Sequence, residues 1–188
     1  MAISNNTTGV RPGVCTSTTR PTAPYEGQQI YETDTDLVRV WNGSVWRNIA
    51  ATTPTNGSVL QTVYFDVAAN ATFAGTFVTT GITATITPFS ASSKILITGA
   101  TKNISHAAAR DWAELRIYKN GASIYMIDGY IGDQSTTATA MSMGGIPFNY
   151  LDSPATTSST VYAIFAKTAL GNSWSVAGGS MVLMEIAA

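Results

Sequence analysis

Charge is what this sequence has least of. Only 11% of its 188 residues are Asp, Glu, Lys or Arg, where soluble domains ordinarily carry about 25%. Intrinsic disorder needs low hydrophobicity and high net charge, and a chain that is 45% hydrophobic with a net charge of −1 has neither. A helical bundle is excluded on the same ground, because its exposed faces need Glu, Lys, Arg and Gln in quantity. The ten basic residues are scattered singly and form no stripe for a phosphate backbone, so nucleic acid is not an expected partner. A single cysteine, Cys15, allows no intrachain disulfide. No apolar run approaches the ~18 residues of a membrane span. The start, Met1-Ala2-Ile3-Ser4-Asn5-Asn6, lacks the basic and apolar stretches of a secretion signal. The expectation is a protein made in a cytosol and not inserted in a membrane.

Polarity comes instead from Thr, Ser, Asn and Gly, beside β-branched and aromatic residues that suit a pleated, half-buried surface. This predicts an all-β protein. Residues 1–20 read as an extended arm, and Pro21 and Pro24 keep the following segment stiff. Strand signals at Gln28 to Glu32, Leu37 to Trp41 and Val45 to Ile49 form a small β-meander. Asp34-Thr35-Asp36 lies in its first turn and Asn42-Gly43 in its second, where both central residues are expected at positive φ. Tyr31, Val38, Val40, Trp41, Val45 and Trp46 are more apolar surface than so small a sheet covers alone, so residues 1–58 are expected to pack on a partner.

Residues 59–188 form the second expected unit. Its strand signals are Val59 to Val67, Phe73 to Thr79, Ile82 to Thr87, Lys94 to Thr101, Trp112 to Lys119, Ser123 to Ile127, Met141 to Tyr150, Thr160 to Lys167 and Met181 to Ile186. So many short strands bounded by Gly, Pro and Asn indicate an antiparallel β-sandwich or jelly roll, with the apolar last strand at its centre. The segment from His106 to Ile117 is helical by propensity, yet Trp112, Glu114, Arg116 and Tyr118 alternate with Ala113, Leu115 and Ile117 and run into the Asn120-Gly121 turn. That period of two predicts a strand from Trp112.

The stretch with Arg20-Pro21-Thr22, Glu26-Gly27-Gln28, Ile30-Tyr31-Glu32-Thr33-Asp34-Thr35 and Val40-Trp41-Asn42-Gly43-Ser44 resembles a module of tail-fibre and minor tail proteins of tailed bacteriophages. The remainder, with Ser93-Lys94-Ile95-Leu96-Ile97, Tyr150 to Thr157 and Met184-Glu185-Ile186, is similar to carboxy-terminal domains of phage fibres, which resemble the trimeric jelly roll of the tumour-necrosis-factor and complement families. The resemblance implies a virion component and a homotrimer, with other phage structural proteins of tail or capsid as partners. It supplies no catalytic residues.

Candidate chemistry in the residues is sparse. Cys15 stands in a Thr/Ser-rich arm without a histidine nearby and reads as an inert thiol. His106 is the sole histidine; Ser105 and Asp111 are near it in sequence, but no nucleophile-elbow pattern is present, and it reads as a surface-loop residue. Asp34 and Asp36 are a cation pair or, better, turn residues. Gly144-Gly145 and Gly178-Gly179 read as strand breaks or bulges. No catalytic, metal or cofactor site is expected. Docking is assigned to Pro21, Pro24, Tyr25, Tyr31, Trp41 and Trp46. Receptor-facing loops, 129–135 and 170–174, are assigned through Tyr130, Asp133 and Trp174, with a host-surface glycan or protein as ligand, although core packing is the stronger reading of Trp174. The expected function is that of a non-enzymatic virion protein at a phage tail tip, with head decoration as the alternative and a host-polysaccharide depolymerase or esterase as the reading from another class.

Overall fold

The computed structural model describes residues 12–49, 54–68, 70–107, 110–133 and 140–188, and among them strands and turns occur without any helix. No described helix is therefore long and apolar enough to cross a membrane. The chain divides into two compact units, Met1–Pro54 and Thr55–Ala188. Residues 1–11 of the expected arm, and residues 50–53, lie outside the described residues.

The first unit is a four-stranded sheet of β1 (Gly13–Cys15), β2 (Gln29–Glu32), β3 (Leu37–Trp41) and β4 (Trp46–Asn48), in that order across the sheet. The arm is thus not wholly irregular. Its residues 13–15 pair in parallel with β2, Val14 opposite Tyr31, after the chain has doubled back through residues 16–28. The β2–β3 and β3–β4 pairs are antiparallel, and the second places Trp41 opposite Trp46. The Asn42-Gly43 turn departs from expectation. Only Gly43 is left-handed, at φ 91°. Asn42 instead folds the loop with its side chain, Oδ1 accepting from the amides of Ser44 (3.1 Å) and Val45 (2.9 Å).

The second unit runs β5 (Val59–Val67), β6 (Ala71–Phe73), β7 (Val78–Ile86), β8 (Lys94–Thr101), β9 (Ile104–His106), β10 (Asp111–Lys119), β11 (Ala122–Asp133), β12 (Met141–Met143), β13 (Pro147–Asp152), β14 (Thr160–Thr168), β15 (Trp174–Val176) and β16 (Gly179–Ile186). Eight of these are the long strands, and they form two four-stranded sheets, β13-β8-β16-β5 and β11-β10-β14-β7. Within that set the first strand pairs with the last, the second with the seventh, the third with the sixth and the fourth with the fifth, all antiparallel. This is one long hairpin wound on itself, the jelly-roll topology. Its tip is the Asn120-Gly121 turn, with φ 48° and 84° as a tight two-residue hairpin requires. The last strand, β16, is central as expected, lying between β5 and β8. Ile82, Ile95, Ile97, Leu115, Ile117, Ile164 and Leu183 fill the space between the sheets.

Several strand boundaries differ from expectation. Phe73 to Thr79 is no single strand: β6 stops at Phe73, and Val78 and Thr79 open β7. That strand continues through a bulge at Gly81, φ 82°, where the pairing with β14 shifts. Met141 to Tyr150 breaks at Gly144-Gly145, where a Cβ on Gly145 would stand 2.1 Å from the Thr101 carbonyl oxygen. The Thr160 to Lys167 run turns Tyr162, Ile164 and Ala166, all wholly buried, into the unit's own core and leaves Val161 37% exposed.

The four short strands have a shared place. β6, β9, β12 and β15 lie in the connections that follow β5, β8, β11 and β14, and the antiparallel winding brings those four connections to one end of the jelly roll. There they pair as a small sheet, β12-β9-β15-β6. The opposite end carries the tight turns 87–93, 120–121 and 153–159 and the point where residue 55 leads into the unit, with Gly57 donating its amide to the Ala187 carbonyl at 2.8 Å.

Candidate functional site

In the first unit the docking residues assigned from sequence differ in exposure. Tyr25 is 64% exposed, whereas Trp41 and Trp46 form a half-buried edge-to-face pair with ring centroids 5.5 Å apart. Pro21 and Pro24 lie in the segment that leads from Arg20 to β2. Tyr31 is half-buried and donates its hydroxyl to Asp36 Oδ1 at 2.6 Å, which raises the pKa of the phenol. Strand pairing aligns Val14, Tyr31 and Val38 in one row, with Val14 53% and Val38 38% exposed. This row is the open apolar strip of the sheet.

Beneath the sheet lies a cluster that no sequence pattern signalled. Glu32, together with Ile30, is withdrawn from water. Its carboxylate accepts from Arg20 Nε, from Arg39 Nε at 2.7 Å and from Thr35 Oγ1 at 2.8 Å. The Arg20 hydrogen bond, aided by those of Arg39 and Thr35, overcomes the burial penalty and holds the Glu32 pKa down to about 2. Asp34 and Asp36 are turn residues and do not converge as a cation pair. Asp34 accepts from the Ser17 amide (2.8 Å) and hydroxyl (2.5 Å), while Asp36 takes Tyr31. Cys15 is half-buried at the end of β1.

Of the two loops assigned to a receptor, residues 129–133 are no loop but the last residues of β11; they and the 170–172 turn lie at the end of the small sheet, and their residues differ in kind. Tyr130 is 71% exposed and stacks against Trp112 with centroids 6.3 Å apart. Asp133 closes β11 opposite Asp111, and residues 134–135 lie outside the described residues. Trp174 is not receptor-facing. It begins β15 with 1% of its surface exposed, packs on Phe73 and touches the backbone at Gly132, where a Cβ would stand 2.3 Å from the indole. A turn preceding a tryptophan marks the start of a strand as readily as an exposed tip, and the period-two run Trp174, Val176 was too short to separate them.

His106 is likewise no surface-loop residue. It ends β9, is 6% exposed and stacks on Trp174 with centroids 4.3 Å apart. Among the described residues neither of its ring nitrogens has a hydrogen-bond partner. The neighbours weighed with it are engaged elsewhere. Ser105 Oγ is 3.1 Å from Ser175 Oγ. Asp111 is buried and accepts from the amides of Trp112 (2.8 Å), Leu170 (2.8 Å) and Asn172 (2.9 Å). Burial opposes its ionisation, yet those amides hold its pKa below the ordinary carboxylate value. Asp111 therefore fixes the 170–172 turn to the foot of β10 and makes no relay with His106.

At the other end Asp152 accepts from Lys119 Nζ (2.9 and 3.1 Å) and from the Tyr162 hydroxyl (2.6 Å), tying β10, β13 and β14. Burial first, then the Asp152 bond, pushes the Tyr162 pKa up. Glu185, inside β16, accepts from Gln61 Nε2 (2.6 Å) and the Phe89 amide (2.8 Å) and so secures the 87–93 turn. Against its burial these bonds keep its pKa below normal. A shallow depression lined by Thr98, Gly99, Pro147, Phe148 and Asn149 contains no titratable side chain. No group of three or more His, Cys, Asp or Glu among the described residues could hold a metal ion. The buried charges are thus spent on fastening turns to strands.

No protein-family model matches the chain, and no curated protein matches it. Among solved structures it is similar to the VP2 subviral particle of infectious bursal disease virus, at 16% identity and TM-score 0.47 over 88% of this chain and 40% of that one. It is similar also to the infectious bursal disease virus Gx strain, at 15% identity and TM-score 0.46 over 77% and 35%. Dimeric latent PorU from Porphyromonas gingivalis gives 8% identity and TM-score 0.35 over 74% and 14%. The chain spans about two fifths of the length of the viral chain it matches first.

Proposed function

We propose that this chain is a non-enzymatic structural protein of a tailed-phage virion, a homotrimeric tail-fibre or tail-tip component exposed for host attachment. The sequence resemblance of residues 20–46 and of the jelly-roll segments suggests the class. The polarity of the second unit carries the reading: residue 55 leads in at the end of tight turns, and the four long connections gather at the opposite end, where Tyr130 and the 170–172 turn are presented. In this reading the first unit attaches to other virion proteins through the Val14, Tyr31 and Val38 row, and the small-sheet end of the jelly roll meets a host-surface glycan or protein.

Labelled antibody and electron microscopy on intact particles test it. Label at the tail tip is the expected result. Label over the head converts the reading to capsid decoration, and particles without label remove the virion role. Hydrolysis of host polysaccharide or of ester probes by the purified protein, abolished by His106→Ala, would overturn the non-enzymatic part.

A further inference from the structure

The chain carries three Asn-Gly dipeptides, Asn42-Gly43, Asn56-Gly57 and Asn120-Gly121. Each holds a latent reaction. The glycine amide nitrogen can close on the side-chain carbon of the asparagine before it, and glycine has no side chain to obstruct the approach. As sequence the three are alike, and the fold separates them. At Asn56-Gly57 the attacking group is engaged, since Gly57 donates its amide to the Ala187 carbonyl at 2.8 Å. At Asn120-Gly121 the carbonyl under attack is pinned elsewhere. Asn120 Oδ1 accepts from the Val161 amide at 2.8 Å, and the Asn120 amide donates to the Val161 carbonyl at 2.9 Å, so β14 holds the residue at both ends. Closure at either place must break a bond to a segment far away in the chain.

Asn42-Gly43 differs on three counts. Asn42 Oδ1 accepts from the amides of Ser44 (3.1 Å) and Val45 (2.9 Å), the two residues beyond Gly43, so the side chain is folded over the glycine itself. Both amides point at the oxygen on which negative charge gathers when Cγ is attacked, the arrangement of an oxyanion hole. Secondly, the Gly43 amide donates no hydrogen bond among the described residues. Thirdly, a carboxylate stands beside it: a Cβ on Gly43 would lie 3.7 Å from Glu26 Cδ and 3.8 Å from its Oε2. Two backbone bonds hold Glu26 in that place, from the Gly27 amide to the Trp41 carbonyl (2.8 Å) and from the Trp41 amide to the Gln28 carbonyl (2.9 Å). Glu26, Asn42 and Gly43 are all exposed, so water reaches the turn.

We propose that the turn is a self-modifying site at which Asn42 loses its side-chain amide, with Glu26 as the proton carrier and water as the second reactant. The Gly43 nitrogen bonds to Asn42 Cγ and passes its proton to the Glu26 carboxylate. The Cγ–Nδ2 bond then breaks, and the nitrogen leaves as ammonia with the proton that Glu26 returns. Water opens the resulting cyclic imide at either carbonyl, leaving aspartate or isoaspartate at position 42. Loss of ammonia makes the change one-way. It sets a second carboxylate beside Glu26 in a chain whose net charge is only −1. The isoaspartate product also routes the backbone through the former side chain. That lengthens the connection between Trp41 and Trp46, whose rings pair across the turn with centroids 5.5 Å apart.

Timed incubation of the full chain at neutral pH, followed by proteolysis and mass spectrometry, tests this. Exchange of the side-chain NH2 for OH is read separately at positions 42, 56 and 120, in the folded chain and in guanidinium chloride. In the folded chain Asn42 should react at least about 10-fold faster than it does unfolded. Asn56 and Asn120 should react more slowly folded than unfolded. Glu26→Gln should slow the folded reaction at Asn42 at least about 10-fold and leave the other two positions unchanged. The Ile30 methyl resonances report that the first unit of this variant is folded. A folded-chain rate at Asn42 no greater than its unfolded rate overturns the proposal, and that comparison needs no variant. A folded Glu26→Gln chain that reacts as fast as the unmodified one removes the carboxylate as proton carrier and overturns the assigned mechanism.

Discussion

At the centre of the first unit lies a glutamate held by two arginines, whereas the centre of the second is built of Ile, Leu, Tyr and Trp side chains. The contrast follows from size. A four-stranded sheet of short strands has little interior, and small domains bury too small a share of their surface to rest on apolar packing. Ile30 is the one hydrophobic side chain of the first unit, among the described residues, that is fully withdrawn from water. Glu32 gathers strand, turn and arm onto a single carboxylate and so defines their geometry, although an ion pair away from water adds less to stability than its distances suggest. The second unit uses buried charge differently. Asp111, Asp152 and Glu185 sit at the ends of an apolar core and fasten turns to it.

The largest test of this contrast is Trp174→Ala. Removing that indole from the core should cost the second unit about 3–5 kcal/mol, read as a shift of its denaturant transition in the full chain. Tyr130→Ala at the same end should stay within about 0.5 kcal/mol. Next in size, Glu32→Ala leaves Arg20 and Arg39 without their partner. Fully buried pairs lose about 3–5 kcal/mol in this way, and we expect about 2 kcal/mol because a third of the Arg20 side chain remains in water. The methyl resonances of Ile30 should lose their native shifts, reporting loss of the first unit, while those of Ile164 in the second stay native. An equal effect on both units would abolish the distinction.

Acid sharpens the comparison. Glu32 binds its proton near 4.5 when unfolded and only at about 2 when folded. Its contribution is therefore complete above the unfolded value and lost as pH falls from there through about 2. Asp111 and Glu185 are shifted in the same direction, so the second unit also weakens below the ordinary carboxylate range. Because its apolar core does not titrate, the Ile30 methyl resonances of the first unit should lose their native shifts at higher pH than those of Ile164 in the second. A smaller effect than at Glu32 is expected at a turn. Asn120→Ala forces a left-handed φ on alanine and removes the 2.8 Å bond to the Val161 amide, at about 1–2 kcal/mol. Asn42→Ala, where φ is ordinary, should cost less.

Much of the fold was legible because its signals are local. Alternation over Trp112 to Lys119 overrode helix-forming Glu114-Leu115-Arg116, and the structure has a strand from Asp111. The strands Leu37–Trp41, Val59–Val67 and Lys94–Thr101 fall where residue type placed them. The site was less legible. His106 looks like a loop residue, and Trp174 reads as either core packing or a loop tip, because the signal that buries them is each other's ring, 68 positions apart in the chain, not their immediate neighbours.

By itself, then, the sequence determined an all-β chain with a turn at Asn120-Gly121, since period-two patterning and left-handed turn residues act through adjacent peptide units. Only the tertiary structure decided that β5 pairs with β16, that the four connections assemble as a sheet at one end, and that Glu32 lies between Arg20 and Arg39. Those choices depend on which of many chemically similar strands and charges meet across long loops. Such choices are settled by simultaneous packing of the whole core and not by any one segment's preference.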